Sequence, residues 1–318
     1  MVSVRREAVR VGNLIVLAQC DEDALRRSKE YYVAHAYHIH ETPHFVVCQH
    51  DSSPATIVMH TLGQEAIDAD LISFTEQELS HLGLIGSAHD YSALFFAILA
   101  SPFPAPRDQG LVWRQFCLNT LARLRMQVVA SLTQSPPSIS HVPAFAALYQ
   151  RVFEWFIGNS FLDVGSCFGF LPVLMAERKP EIRIVGCDSN PEMLTIARDL
   201  ACVTQMQQVQ FIWQDVLAEP FCQQGLFDTV AAIHLLEHFT EQELPSALTH
   251  LLNVTAQRLL IAVPYEEEAQ ACYGHHQVFT QEKLHWWGNW CIDALGGTGR
   301  YWCEEVMGGF LIIERFTS

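Results

Sequence analysis

The stretch Phe161–Leu171, FLDVGSCFGFL, constrains the fold more than any other part of the chain. It begins as an apolar, strand-like run, breaks at Gly165 and Gly169, and continues with helical spacing through Leu171, Val173 and Leu174. A second strand-like run, Ile182 to Asp188, ends on an acidic residue. This pattern is the first turn of an α/β sheet that cradles a nucleotide-like ligand. Gly165 permits the tight turn and lets backbone approach the ligand, and Gly169 lets the following helix pack close to the strand. Cys167 stands where a dinucleotide fingerprint has its middle glycine. A pyrophosphate would lose its closest backbone contact there, so the turn suits a ligand without phosphate. Asp188 follows Asp163 by 25 residues, close to the separation of a carboxylate that accepts ribose hydroxyls. Asp215, at the end of the third strand, can accept from an adenine amino group. Either aspartate can instead be a turn or cap residue.

From Val142 onward strands and helices alternate. Strands are expected at Ser160–Val164, Arg183–Asp188, Val209–Gln214, Phe227–His234 and Arg258–Pro264. Helices are expected at Ala144–Ile157, Phe170–Arg178, Pro191–Ala201, Glu241–Leu252 and Thr280–Leu295. Such alternation predicts a Rossmann-like, doubly wound parallel sheet. Two last strands, Arg300–Met307 and Phe310–Arg315, flank Gly308-Gly309, so the sheet should close on a C-terminal antiparallel hairpin. The part before it reads as a smaller domain, mixed α/β and then helical. Val11–Leu17, His44–Cys48 and Ile57–Leu62 are strand-like, with Asp51-Ser-Ser-Pro as a hairpin turn. Helices follow at Asp23–Ala36, Tyr91–Ala100 and Leu111–Leu132, and Thr75 and Glu78 have capping-box spacing. Of two proline-rich breaks, at Ser101-Pro-Phe-Pro-Ala-Pro-Arg and Ser135-Pro-Pro-Ser-Ile-Ser, the second is the better boundary. It separates an accessory or substrate-recognition region, 1–137, from the sheet domain, 138–318.

The chain has 318 residues and is 50 % hydrophobic, enough for a sizeable core. No apolar run reaches the roughly 20 residues of a membrane span. The start, MVSVRREAVRVGNLIVLAQC, has a basic flank and a short apolar run, but Gly12-Asn13 and the acidic residues after Cys20 argue against a cleaved leader. Ten scattered cysteines without a Cys-x-x-Cys pair read as reduced thiols of a cytoplasmic protein. The net charge of −16 is uneven: residues 1–140 carry 10 Lys+Arg against 14 Asp+Glu, and residues 141–318 carry 9 against 21. An acidic sheet domain disfavours nucleic acid or anionic membrane as partner, because phosphate needs a positive field.

Ligands of open α/β sheets bind at the carboxyl ends of the strands. Two segments there are rich in chemistry: Ile233-His234-Leu-Leu-Glu237-His238 after the fourth strand, and Tyr265-Glu266-Glu267-Glu268 through Tyr273-Gly-His275-His276 after the fifth. Histidines titrating near pH 6.5 are candidate bases. If Glu237 and His238 open the next helix, they and His234 could project into the cleft, and His275 or His276 would complete a mixed N/O metal site. The run Glu266-Glu267-Glu268 is either a solvated loop face or a set of acceptors for sugar hydroxyls or a cation. Trp286 and Trp290, four apart on one helix face, are expected in the core or stacked on a substrate. The cluster His35, His38, His40 and His44 reads as the polar edge of a helix and turn, since no ligand spacing completes a metal site there.

Taken together, Asp163-Val-Gly-Ser-Cys-Phe-Gly169, Asp188, Gln214-Asp215 and the closing hairpin resemble the class I S-adenosylmethionine-dependent methyltransferases, over roughly Val142 to Ser318. The resemblance implies S-adenosyl-L-methionine as cofactor, held by Asp163, Gly165, Gly169, Asp188 and Asp215, with Ser166 and Val216 as neighbours. The segments DVGSCFGFLPVLMAER, IHLLEHF, IAVPYEEEA and YGHHQVF are further similar to the mycofactocin oligosaccharide methyltransferases. That likeness implies O-methylation of a sugar hydroxyl on a glycosylated, peptide-derived redox cofactor. An alcohol is a poor nucleophile at neutral pH, so a base or metal is needed. His238, His275 and Glu237 are the expected catalytic residues. The metal candidates are His234, Glu237, His238 and His276. They resemble the Glu-x-x-Glu-His site of some hydroxyl methyltransferases, including small-RNA 2′-O-methyltransferases, with His234 in place of the first glutamate. The rival reading is a non-catalytic module that binds a nucleoside or a partner. A nicotinamide oxidoreductase is disfavoured by the missing middle glycine.

Overall fold

The computed structural model describes residues 7–104, 108–130 and 140–316. The proline-rich break at Ser135 and the expected 137/138 boundary lie outside these residues. The chain divides into two compact units, Met1–Arg123 with Ser140–Val142, and Leu124–Ile139 with Pro143–Ser318. No described helix is long and apolar enough to cross a membrane.

The first unit carries the strands β1 (Val9–Val11), β2 (Leu14–Ala18), β3 (His38–Glu41), β4 (Val46–His50) and β5 (Ser53–His60). They form one sheet in the order β1-β2-β5-β4-β3. Helix α1 (Glu22–Ala34) begins at Asp21, whose carboxylate accepts from the Ala24 N–H. Helices α2 (Asp70–Leu79) and α3 (Ala88–Ala100) supply Leu79, Leu94, Ala97 and Ile98 to a core with Val16, Val47 and Val58. The opposite set of strand residues, Val46, Cys48, Ile57 and Met59, packs with Leu25 and Tyr32 of α1. Helix α4 (Gln109–Ala130) follows; its expected last residues, 131 and 132, lie outside the described ones.

Three expectations for this unit change. Gly12-Asn13 does not interrupt one strand but turns a hairpin, with Val11 paired to Leu14. Thr75 and Glu78 are no capping box, because α2 already starts at Asp70. Glu78 instead accepts from the His44 backbone N–H at 3.0 Å and pairs with His44 Nδ1 at 2.5 Å. The histidine cluster is dispersed. His35 donates to the Tyr31 carbonyl, His38 faces Asp51 at 3.2 Å, and His38 and His40 lie on the edge strand β3.

The second unit follows the alternation closely. Helix α5 (His141–Trp155) leads into β6 (Ser160–Val164), α6 (Phe170–Arg178), β7 (Arg183–Asp188), α7 (Pro191–Val203), β8 (Gln210–Trp213) and β9 (Phe227–Ile233). Helix α8 (Leu244–Val254), β10 (Thr255–Val263), α9 (Gln281–Ala294), β11 (Gly299–Glu305) and β12 (Gly309–Arg315) complete it. The seven-stranded sheet has the order β11-β12-β10-β9-β6-β7-β8. Strands β8, β7, β6, β9 and β10 are parallel, while β12 runs antiparallel to β10 and to β11. The link between β11 and β12 is Val306-Met307-Gly308, with positive φ at Met307 (52°) and Gly308 (126°), rather than a bare Gly-Gly pair.

Alternate residues of the strands bury one face. Leu162, Val164, Val185, Val230, Ala232, Ile261 and Ile313 join Leu248 and Leu251 of α8 and Leu284, Trp287 and Cys291 of α9. Trp287 is thus the core tryptophan of α9, while Trp286 is 57 % exposed. Trp290 also packs against this core, as the i, i+4 pairing expects, but Trp286 does not, because α9 turns Trp287 toward the sheet in its place.

On the other face, space is limiting. A Cβ on Gly169 would lie 2.7 Å from the Phe211 ring and 2.9 Å from Ala197 Cβ, and one on Gly186 would lie 2.8 Å from the same ring. Phe211 therefore fixes how closely α6 and α7 approach β7. Gly169→Ala should destabilise the protein by about 2–4 kcal/mol, combining left-handed strain at φ +78° with overpacking. Gly225→Ala, at φ +84° in open space, should cost only about 1–2 kcal/mol of strain. Equal losses in urea unfolding would show that the Phe211 contact is unimportant.

Candidate active site

The parallel strands bring their carboxyl ends together, and with them Asp163, Asp188, Asp215, His234 and Tyr265. The first turn is built by backbone. The N–H groups of Gly165 and Ser166 both donate to the Cys187 carbonyl at 2.9 Å. The Cys167 N–H donates to Asp188 Oδ2 at 2.9 Å. Gly165, Cys167 and Gly169 all have left-handed φ, at 76°, 47° and 78°. Cys167 thus adopts the conformation that a middle glycine would favour, at about 1–2 kcal/mol of strain.

Asp188 does more than await a ligand. Its Oδ2 holds the turn through Cys167, and its Oδ1 accepts from the Asn190 N–H at 2.8 Å. Each oxygen keeps a second lone pair for a ligand hydroxyl. Asp163 is buried, and burial, reinforced by the Asp188 charge, pushes its carboxyl up to about 8. Ser166 is also buried, and its Oγ finds no partner among the described residues. Asp215 Oδ1 caps its own turn by accepting from the Leu217 N–H. The Val216 side chain belongs to the core cluster, and its carbonyl accepts from His250 Nδ1. Trp213, which the sequence reading passed over, is paired in register with Asp188. Its indole N–H donates to Ser189 O while the side chain stays 59 % exposed. Its position as the last residue of the third strand was the available signal.

The second half of the site lies after β9 and β10. His234 sits at φ +52°, a left-handed conformation rare for a side chain of this size, and donates its N–H to Ala262 O. Leu236–His238 is a single 3₁₀ turn, not the start of α8 as expected. This tight turn buries Glu237 completely. Neither of its carboxylate oxygens is hydrogen-bonded to another described residue, and His234 Nδ1 stands 3.5 Å from Oε1. Burial pushes the Glu237 carboxyl up to about 8, with the Glu266 charge adding to the effect.

His238 Nδ1 donates to the Gly274 carbonyl at 3.2 Å. A carbonyl only accepts, so the neutral ring carries its proton on Nδ1 and its lone pair on Nε2. Burial and the neighbouring His275 lower its pKa, which keeps it neutral at pH 7. The His275 ring lies 5.0 Å away, edge to face, with Nδ1 at 2.9 Å from Glu266 Oε2. Ligand atoms of Glu237, His238 and His275 all fall within 4.8 Å of one another.

His276, a metal candidate from the sequence, is not part of this cluster. Its side chain is exposed, and its backbone N–H is tied to Glu237 O at 2.8 Å. The buried Gln277 reinforces that tie, donating to Leu236 O and Phe239 O. These bonds turn His275, rather than its neighbour, inward. Glu266 and Gln277 are the supporting residues that sequence reasoning missed. The only signal for Glu266 was its place in an acidic run; Gln277 gave none.

Residues 161–258 match the family described as a methyltransferase domain. The chain is 32 % identical over 147 residues to the demethylmenaquinone methyltransferase of Thermus thermophilus, covering 46 % of this chain and 64 % of that protein's length. Among solved structures it is similar to the methyltransferase domain of a bacterial Hen1, with 14 % identity and a TM-score of 0.46 over 62 % of this chain and 100 % of that one. It is also similar to magnesium protoporphyrin IX methyltransferase from Synechocystis PCC 6803 with bound SAH, with 17 % identity and a TM-score of 0.41 over 66 % of this chain and 100 % of that one. The glycine turn, Asp188, Asp215 and the His234–His238 turn all fall within the residues matched by the methyltransferase-domain family.

Proposed function

We propose that the chain is an S-adenosylmethionine-dependent O-methyltransferase acting on a hydroxyl of a small molecule or glycoside. The resemblance to the mycofactocin group makes a glycosylated redox cofactor the acceptor to try first. One observation carries the reading. The fully buried Glu237 carboxylate, hydrogen-bonded to no other described residue, meets two imidazoles on the strand ends beside the glycine-turn cradle.

The reaction moves a methyl group from sulfur to oxygen. The acceptor oxygen attacks the methyl carbon as the carbon–sulfur pair departs onto sulfur, and the hydroxyl proton must leave. The sulfonium supplies the electrophile. The protein's part is alignment and proton removal. Asp188 has lone pairs for ribose hydroxyls, and the buried Asp163 would face the cationic methionine end. On this reading His238, His275 and Glu237, whose ligand atoms lie within 4.8 Å of one another, would serve the acceptor side.

These three groups could take the proton directly or hold a divalent cation. Glu237 favours the cation. A relay carboxylate would hydrogen-bond its histidine, and this one bonds neither member of the pair. Two imidazoles and a carboxylate are a fitting donor set for a borderline or hard divalent ion, which would acidify a bound hydroxyl. Glu267 and Glu268 are exposed beside the cluster and Tyr273 lies 5.8 Å from His275, a lining suited to sugar hydroxyls. The acidic balance of this half argues against nucleic acid or membrane as partner.

Isothermal titration should detect S-adenosylhomocysteine binding, and Asp188→Ala should weaken it by about 1–3 kcal/mol for a lost buried polar contact. No binding by the wild type would overturn the reading. Binding without transfer to any glycosylated acceptor would point to a non-catalytic module.

Asp163 gives a pH signature. Its folded pKa of about 8 exceeds the unfolded value near 3.9. The folded state therefore binds more protons between these values, and this group's contribution falls as pH rises from about 4 to about 8. Asp163→Asn should gain Tm relative to wild type progressively from pH 5 to pH 8, while losing the thermal shift given by S-adenosylmethionine. A Tm difference that is flat with pH would contradict the assignment.

Mn²⁺ added to metal-free protein should bind one ion per chain by calorimetry, and Glu237→Gln should weaken it at least tenfold. An unchanged affinity in that variant would remove Glu237 from the site.

A further inference from the structure

We infer that Glu266 is a positioning residue that sets the tautomer and orientation of His275, an inference that rests on His275 being a site ligand. The acidic run Glu266-Glu267-Glu268 is not one solvated face. Glu267 and Glu268 are exposed, whereas the Glu266 side chain keeps 15 % of its exposure and His275 keeps 8 %. The two meet at 2.9 Å, Oε2 to Nδ1.

The backbone of this loop is already held. Tyr265 bridges to Phe279, the His276 N–H bonds Glu237 O, and Gln277 bonds two carbonyls of the opposite turn. What the backbone leaves open is the rotation of the His275 ring and the choice of nitrogen that carries the proton. A carboxylate on Nδ1 decides both, because it only accepts. It holds the proton on Nδ1 and leaves the lone pair on Nε2, free for a ligand, in a ring with a ligand atom within 4.8 Å of those of Glu237 and His238. His238 reaches the same state through a neutral acceptor, the Gly274 carbonyl. The site thus combines one inner carboxylate, Glu237, with one outer carboxylate, Glu266. Their two negative charges match a divalent ion and exceed what a monovalent ion needs. An outer carboxylate on a ligating histidine raises its donor strength and fixes its geometry.

Two measurements test this. In metal-free wild type labelled with ¹⁵N-histidine, long-range ¹H–¹⁵N spectra should show His275 protonated at Nδ1. Glu266→Leu should shift it toward the Nε2 form, and Glu266→Gln, whose amide oxygen still accepts, should retain Nδ1. In Co²⁺ titrations followed by visible absorption, Glu266→Leu should weaken binding by about 10- to 100-fold, the range for an outer-sphere partner. Glu266→Gln should lose less, and Glu267→Leu should match wild type. Wild type that binds no Co²⁺ but shows the tautomer change would overturn the metal reading and uphold the role of Glu266. Wild type that binds Co²⁺, with Glu266→Leu unchanged in both tautomer and affinity, would overturn the role of Glu266. Glu266→Gln preserves polarity, so it serves if the leucine variant fails to fold.

Discussion

Three backbone N–H groups in a row, at Gly165, Ser166 and Cys167, are spent on β7. Two go to the Cys187 carbonyl and one to the Asp188 carboxylate. This binds the first turn to the second strand end and leaves the turn little freedom. It also explains why a cysteine can replace the middle glycine. That position needs a left-handed φ and an N–H for Asp188, and a thiol that stays exposed satisfies both. Beneath it, Phe211 allows no Cβ at Gly169 or Gly186, so α6 starts against the sheet itself. The cradle is a rigid feature supported by packing from below and hydrogen bonding from the side.

Around this fixed turn the protein buries two carboxyl groups, Asp163 and Glu237, each pushed up to about 8. Burying a carboxylate without a counter-charge is costly, and protonation relieves that cost. They lie at the ends of β6 and just beyond β9, neighbouring strands of the sheet. In the proposed reading, Asp163 would serve a cationic methyl donor and Glu237 a cation beside the acceptor. On that reading, binding a positive charge would restore the ionised form of each carboxyl. Such instability belongs to sites rather than to scaffolds, where buried charges are paired in advance.

Most of the sheet unit was legible because its signals are local. Strands β6 and β7 and helix α6 have the bounds that periodicity gives. Asn190 with Pro191 and Thr280 announce helix starts by their own capping chemistry. The first unit was harder to read. Its strand β2 is parallel to β5 but antiparallel to β1 two residues earlier, and short strands of this kind carry little pattern. The capping-box motif at Thr75 misled because a short motif competes with tertiary contacts. His44 claims the Glu78 carboxylate from 34 residues away.

The acceptor side shows the same limit at the scale of single residues. His275 and His276 are adjacent and chemically identical, and no local property of the sequence separates them. What separates them is long-range. The His276 N–H is taken by Glu237 O, 39 positions earlier, and Gln277 spans back to Leu236 and Phe239. Once that backbone is pinned, successive side chains point to opposite sides, and only one can face Glu237. Glu266 then meets His275 because the same loop folds back nine residues later. The residue types could be read as metal- or proton-handling from composition alone. Which of them joins the cluster, which one meets it from outside and which stays exposed depended on the carbonyls that hold the loop.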